Sequence, residues 1–272
     1  MLASGEMGPN SRLYLSLIDE IFHRKNPGAV TDHITTGYEA HDPFVDELAL
    51  RRRRGLSELI LRELRDVRYD VCDVFEEGDR LAARFVVTGR RSNGMRIVVP
   101  GISINRVESG RLHEGWIVAN YTDVADLVKP APLPADTWNG EPLPITAAPP
   151  GEARSRLEAY RWITQQMYEA RQPEAMLEGI HPEYVGFDPF RERGTGQQGA
   201  VEFQQKVISL YRDLRYHILE AVEAGDRLAV RYRVEGTDAT GRTVVVPGIS
   251  INHFEGARIR RGWVFNHYGA IS

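Results

Sequence analysis

The stretch "VVPGISIN" occupies residues 98–105, and the same eight letters return at residues 245–252. An eight-residue identity within one chain marks an internal repeat, and the match extends outward from it. Residues 64–123 align with residues 211–270 at a constant spacing of 147, and 27 of those 60 positions are identical. Upstream the spacing is 146: "YEAHDPF" (38–44) meets "YVGFDPF" (184–190), and Tyr14 meets Tyr160. Between these blocks the spacing grows from 146 to 147, so a three-residue insertion in the second copy is offset by smaller shifts to a net gain of one residue. Three segments follow: a first domain over residues 10–128, a linker over 129–152 and a second domain over 153–272. The linker holds seven of the fifteen prolines. Proline fixes φ and lacks an N–H, so an extended segment is expected, pinned to a surface by Trp138 and Ile145.

The chain has 272 residues and a formal charge of −4. This length suits two domains, each with its own core. The acidic balance argues against a nucleic-acid partner, which would call for a basic face. Cys72 is the sole cysteine, so no intrachain disulfide forms and a reducing compartment, the cytoplasm, is expected. No signal-peptide-like segment opens the sequence, and no apolar run is long enough for a membrane span.

Each copy reads in the same order. A helix carries apolar residues at helical spacing (Leu13, Leu17, Ile21; Leu157, Tyr160, Met167) and ends near Asn26-Pro27 or Gln172-Pro173. A short strand leads into "DPF". A second helix follows, then four strands whose turns are marked "EEGD", "SNG" and "ESG", or "EAGD", "ATG" and "EGA". Helices followed by an antiparallel meander form an α+β pattern.

The order "YEAHDPF", "GDRLAARFVVTG", "VPGISIN" and "GRLHEGW" resembles the SnoaL-like polyketide cyclases ("ester cyclase" proteins) of the nuclear transport factor 2-like superfamily. The resemblance covers each repeat nearly end to end. It implies two tandem cone-shaped α+β barrels, each a strongly curved sheet wrapped on helices with a cavity at its mouth. It also implies pairing of the convex sheet faces, here as a pseudo-dimer within one chain, with the "GISIN" strands on the shared surface. The family implies a small-molecule ligand and cofactor-independent chemistry, with activities that include polyketide cyclisation, epoxide opening, steroid isomerisation and binding without turnover. SnoaL-like cyclases end in W-x-x-x-D, whose Asp is the acid/base. Here Trp116 is followed by Asn120 and Trp263 by His267, so neither copy keeps that carboxylate.

Strand alternation places Glu114, Trp116, Val118 and Asn120 on one face, and Arg261, Trp263, Phe265 and His267 on its counterpart. The resemblance makes this the concave, ligand-facing side. A histidine suits a general acid or base at neutral pH, so His267 reads as that or as a rim histidine bonded to a carbonyl. Asn120 could stabilise an enolate oxygen or simply finish a strand. Asp42 and Asp188 precede proline in matching positions, either capping a turn or serving as a base at the cavity mouth. His41 joins Asp42 in the first copy, where the second has Phe187. Tyr14, Tyr38, Tyr160 and Tyr184 are candidate ligand donors or core aromatics with a wet tip. Arg84 and Arg231 match on a meander strand, where the solvent face is expected. "GTGQQG" (194–199) lacks the βαβ setting of a dinucleotide fingerprint. Arg51–Arg54 reads as a solvated run, with a grip on an acidic partner as the alternative. No spacing suggests a metal site, and no nucleophile elbow occurs.

The leading expectation is a cyclase or isomerase of secondary metabolism acting on a bulky polyketide-like or terpenoid-like intermediate. An epoxide hydrolase or epoxide-opening ether cyclase is one alternative, and a non-catalytic binding protein the other.

Overall fold

The computed structural model describes residues 7–42, 53–126, 138, 140–188 and 194–266. The chain divides into two compact units, Met1–Thr137 and Trp138–Ser272. That division falls inside the stretch read as linker.

In the first unit, helix α1 (Pro9–Ile18) runs on into a π-helical turn, Asp19–His23. Tyr14, Leu17, Ile18, Ile21 and Phe22 recur at helical spacing and are buried against the sheet. A short helix α2 (Val30–His33) leads into strand β1 (Ile34–His41), and α3 (Arg53–Glu63) precedes the meander. The meander is β2 (Arg65–Glu77), β3 (Arg80–Arg90), β4 (Arg96–Glu108) and β5 (Arg111–Ala119). The second unit repeats this with α4 (Arg156–Thr164), α5 (Met176–Gly179), β6 (Ile180–Phe187), α6 (Gln197–Leu210) and β7 (Arg212–Ala224). It finishes with β8 (Arg227–Thr237), β9 (Thr243–Glu255) and β10 (Arg258–Asn266). Among the described residues no helix is long and apolar enough to cross a membrane.

The α+β class holds, but the barrels do not form. The strand orders are β1-β5-β4-β3-β2 and β6-β10-β9-β8-β7. Both sheets are therefore open, with β1 and β2, or β6 and β7, as edges. Closure requires the two edges to pair. Instead β1 joins β5 in parallel, β2 ladders among the described residues to β3 alone, and the helix core covers one face. The cone-shaped, strongly curved sheet expected from the resemblance is replaced by an open mixed sheet.

One device appears in both repeats. Glu76 on β2 accepts the backbone N–H groups of Asn10 and Ser11 at the start of α1. Its counterpart Glu223 accepts those of Arg156 and Leu157 at the start of α4, at 3.1 and 3.3 Å. A carboxylate there satisfies orphan donors and complements the helix dipole. Gly78 and Gly225, each at φ +60, turn the β2–β3 and β7–β8 hairpins where a side chain would be strained.

The described part of the proline-rich stretch, residues 138 and 140–152, belongs to the second unit. Leu143 N–H donates to the Ile218 carbonyl on edge strand β7 at 2.8 Å. Arg233 donates to the Gly140 carbonyl, and Trp138 is buried with the Arg231 guanidinium 5.9 Å from its ring. Arg231 is not on a solvent face: it is 4% exposed and pairs with Glu220, 2% exposed, at 3.3 Å.

Candidate functional site

Each repeat encloses a cavity between its first helix and the inner face of its sheet, of about 130 Å³ in the first and about 150 Å³ in the second. The duplicated "VVPGISIN" stretch builds one wall of each. Along β4, Ile102 and Ile104 point to one face and Ser103 and Asn105 to the other, where they line the first cavity. Asn252 lines the second, and Ser250 bonds to Tyr160 there. All four polar side chains are buried, and each asparagine amide donates to its neighbouring serine hydroxyl, at 3.0 and 3.1 Å. Gly101 and Gly248 make room for the wall itself. A Cβ at Gly101 would lie 2.3 Å from the Phe85 ring, and one at Gly248 would lie 2.6 Å from that of Tyr232.

The register of β5 overturns the face assigned to it from the sequence. Ile104 stands opposite Trp116 and Ser103 opposite Ile117, and opposed residues share a face. The cavity therefore receives Ile117, not Glu114, Trp116 or Asn120. In the second repeat Ser250 stands opposite Val264, so Val264 and Asn266 reach the cavity while Trp263 and Phe265 point to the other face. Both faces of these strands mix apolar and polar residues, so alternation alone could not choose between them.

The expected residues thus separate. Tyr14 and Asp42 line the first cavity; Tyr160, Tyr184 and Asp188 line the second. Tyr38 sits on β1 with its hydroxyl packed over Gly115, outside the first cavity. Asn120 accepts the Thr122 N–H and hydroxyl, so it shapes the turn after β5. His41 and Glu114 meet away from the cavity. His41 Nε2 lies 3.0 Å from Glu114 Oε1, its ring stacks on Trp116, and Arg106 pairs with the other Glu114 oxygen at 2.9 Å. Glu39, His41 and Glu114 bring three ligand-type atoms within 4.8 Å of one another, a grouping no sequence spacing announced. Arg106 already balances that cluster's inner carboxylate. In the second repeat the matching pair is apolar, Phe187 stacked on Trp263 at 5.4 Å. His267 and the Arg51-Arg52 half of the arginine run lie outside the described residues.

In the first cavity Asp42 is 6% exposed and accepts the Tyr121 hydroxyl. The Tyr14 and Tyr69 hydroxyls meet at 2.9 Å, among Phe22, Phe85 and aliphatic side chains. The second cavity is more hydroxylated. Tyr160 bonds to Tyr216 at 2.8 Å and to Ser250 at 3.1 Å, and Tyr232 donates to Asn266 at 2.6 Å. Burial pushes the Tyr160 phenol up, the Tyr216 phenol well above its ordinary value, and the Tyr184 phenol to about 12. Tyr69, Tyr121, Tyr216, Tyr232, Asn266 and the Ser/Asn pairs were not anticipated as cavity residues. The alternation I-S-I-N, with polar letters on one face of an otherwise apolar strand, was the signal for the pairs.

The sequence matches the SnoaL-like domain family over residues 16–115 and again over 159–262, and the chain belongs to that family as a tandem repeat. Among solved structures, TsrD from Streptomyces laurentii is 22% identical, covering 44% of this chain and 93% of its own, with a TM-score of 0.39. TerC, co-crystallised with polyporic acid, is 23% identical over 43% of this chain and 94% of its own, with a TM-score of 0.38. IdmH from Streptomyces antibioticus is 18% identical over 41% and 91%, also at 0.38. No curated protein matches the sequence.

Proposed function

We propose that the protein is a cyclase or isomerase acting on a bulky, largely apolar polyketide-like or terpenoid-like intermediate, with the first cavity as the reacting one. The observation that carries this reading is the buried Asp42–Tyr121 pair in an apolar pocket. A carboxylate held among aliphatic and aromatic side chains is poorly solvated and suits proton abstraction beside a carbonyl. Tyr121 would return a proton, and the Tyr14–Tyr69 hydroxyls would face the oxygen on which charge develops. Asp42 then fills the role that the missing W-x-x-x-D carboxylate plays in the relatives.

The test is native mass spectrometry of the protein with extract of its source organism, followed by mass analysis of what is released. A product of equal mass and altered ring structure, lost in Asp42→Asn, supports the reading. A gain of one water would make the protein an epoxide hydrolase. Release of an unchanged ligand would favour binding without turnover, the reading that the absent W-x-x-x-D carboxylates support. The pairing of the two repeats within one chain is proposed from the sequence resemblance alone; cross-linking mass spectrometry without any inter-repeat link would overturn it.

A further inference from the structure

Glu39, His41 and Glu114 form the one grouping of three ligand-type side chains among the described residues, and the acid/base reading leaves it unused. The fold assembles it from two strands. Glu39 and His41 stand two apart on β1, so they share a face. The parallel register sets Glu39 beside Glu114 and His41 beside Trp116. That face of β5 is the one turned away from the first cavity. The His41 and Glu114 side chains are 15% and 20% exposed and Glu39 lies at the surface, so the cluster opens to solvent on one side.

Both inner ligands are held in place. His41 stacks on Trp116 with ring centroids 5.2 Å apart, and the Arg106 guanidinium lies 4.9 Å from the same Trp116 ring. Arg106 binds Glu114 Oε2 at 2.9 Å and leaves Oε1 turned to His41 Nε2 at 3.0 Å. Outer partners of this kind fix ligand orientation at metal centres. Ligand atoms about 2.0–2.1 Å from a tetrahedral ion stand about 3.3 Å apart, so an ion fits between these two after a small separation. The exposed Glu39 carboxylate, within 4.8 Å of both, swings in as the third ligand. Two carboxylates face one guanidinium, an excess of negative charge that favours a cation. The second repeat shows that the frame does not need these charges. Val185, Phe187 and Arg261 stand at the matching positions, and Phe187 stacks on Trp263 as His41 does on Trp116. We infer that the first repeat binds one divalent transition-metal ion of the zinc class through His41, Glu39 and Glu114, with water as the fourth ligand. An imidazole nitrogen selects such ions over magnesium, which prefers oxygen ligands alone.

The experiment is calorimetric titration of the full-length protein, free of any polyhistidine tag, with zinc chloride and separately with magnesium chloride. The expected result is one zinc ion per chain with a Kd on the order of 10 μM, and magnesium at least about a hundredfold weaker. His41→Phe and Glu39→Val install the second repeat's own residues, which the shared frame already accommodates; each should weaken zinc binding at least about tenfold. His113 is an exposed histidine beside Glu108 on the other face of β5, so His113→Ala should leave the titration unchanged. The titration requires no turnover, which separates it from the reaction proposed for the first cavity. Zinc bound no better than magnesium by the wild-type protein would overturn the inference, and that comparison needs no variant to fold. Zinc binding unchanged in either His41→Phe or Glu39→Val, or lost in His113→Ala, would overturn it equally.

Discussion

In the first repeat a buried aspartate meets a phenol in an otherwise apolar pocket; in the second the matching Asp188 is half-buried and five tyrosines line the cavity. The frame beneath is the same. Tyr14, Tyr38 and Tyr69 return as Tyr160, Tyr184 and Tyr216, and the Gly-Ile-Ser-Ile-Asn wall is identical. Three changes fall on positions that line the second cavity: Phe22 becomes Tyr168, Phe85 becomes Tyr232, and Ala119 becomes Asn266. The last two belong together, because the Tyr232 hydroxyl donates to Asn266 while the Phe85 ring packs with Ala119 around Gly101. A hydroxyl entered the wall together with an acceptor for it. The comparison teaches that the repeats share their means of building a cavity and differ in what the cavity offers a ligand.

The sharpest way to break this contrast is to exchange the aspartates for asparagine one at a time. Asp42→Asn should reduce conversion about 10²- to 10⁴-fold, the usual worth of a general acid/base, while Asp188→Asn stays within about threefold. Equal losses would mean that both cavities react. Next in size is an alkaline effect in the second repeat. The folded Tyr184 phenol titrates near 12 against an ordinary value of 10, so its neutral form is favoured by folding. That stability, on the order of 2–4 kcal/mol, is fully present below pH 10 and is lost as pH rises through 12. Urea unfolding of the wild type and of Tyr184→Phe across pH 9–12 should show a steeper decline in the wild type; parallel curves would sink the assignment.

Gly101→Ala and Gly248→Ala sharpen the shared frame. Each added methyl would collide with a ring, and each should cost about 1–3 kcal/mol in chemical denaturation. A tolerated alanine at either site would show that the two walls are not built alike. The coupled exchange offers a finer cut. Asn266→Ala should cost about 1–3 kcal/mol by orphaning the Tyr232 hydroxyl, and the Tyr232→Phe/Asn266→Ala double variant should recover much of it. The smallest expected effect is the removal of the helix-capping carboxylates: Glu76→Gln and Glu223→Gln should each cost about 1 kcal/mol, in equal measure, by thermal unfolding.

Much of the fold was legible because the signals were periodic and occurred twice. Helical spacing in residues 13–21 and 157–167, turn glycines and the fixed spacing of 147 were enough to lay out the helices and the meander. Barrel closure was not legible, since it depends on whether distant edge strands find each other rather than on any local pattern. The face of β5 was also hidden. Trp116 and Ile117 are both apolar, and only pairing with Ser103 and Ile104 decides which one meets the ligand. The aspartates before proline read either as turn caps or as bases at the cavity mouth, and their return in both copies spoke for the turn; the structure sets both at the cavities. Tyr121 and Tyr232 were not, because a lone tyrosine in or near a strand looks the same whether it faces a core or a ligand. His41 and Glu114 were seen separately; that they meet each other outside the cavity follows from the parallel β1–β5 register.

The strap formed by residues 138–145 carries a practical consequence. It hydrogen-bonds to the outer edge of β7 through Leu143 and lays Trp138 over the buried Arg231–Glu220 pair. A second repeat expressed from residue 153 onward would leave that strand edge unprotected and the ion pair uncovered, a combination that invites aggregation. Expressed from Trp138 onward, the second repeat should stay monomeric by size-exclusion chromatography where the shorter fragment aggregates. The shortest autonomous gene segment for the second repeat therefore starts well upstream of its first helix.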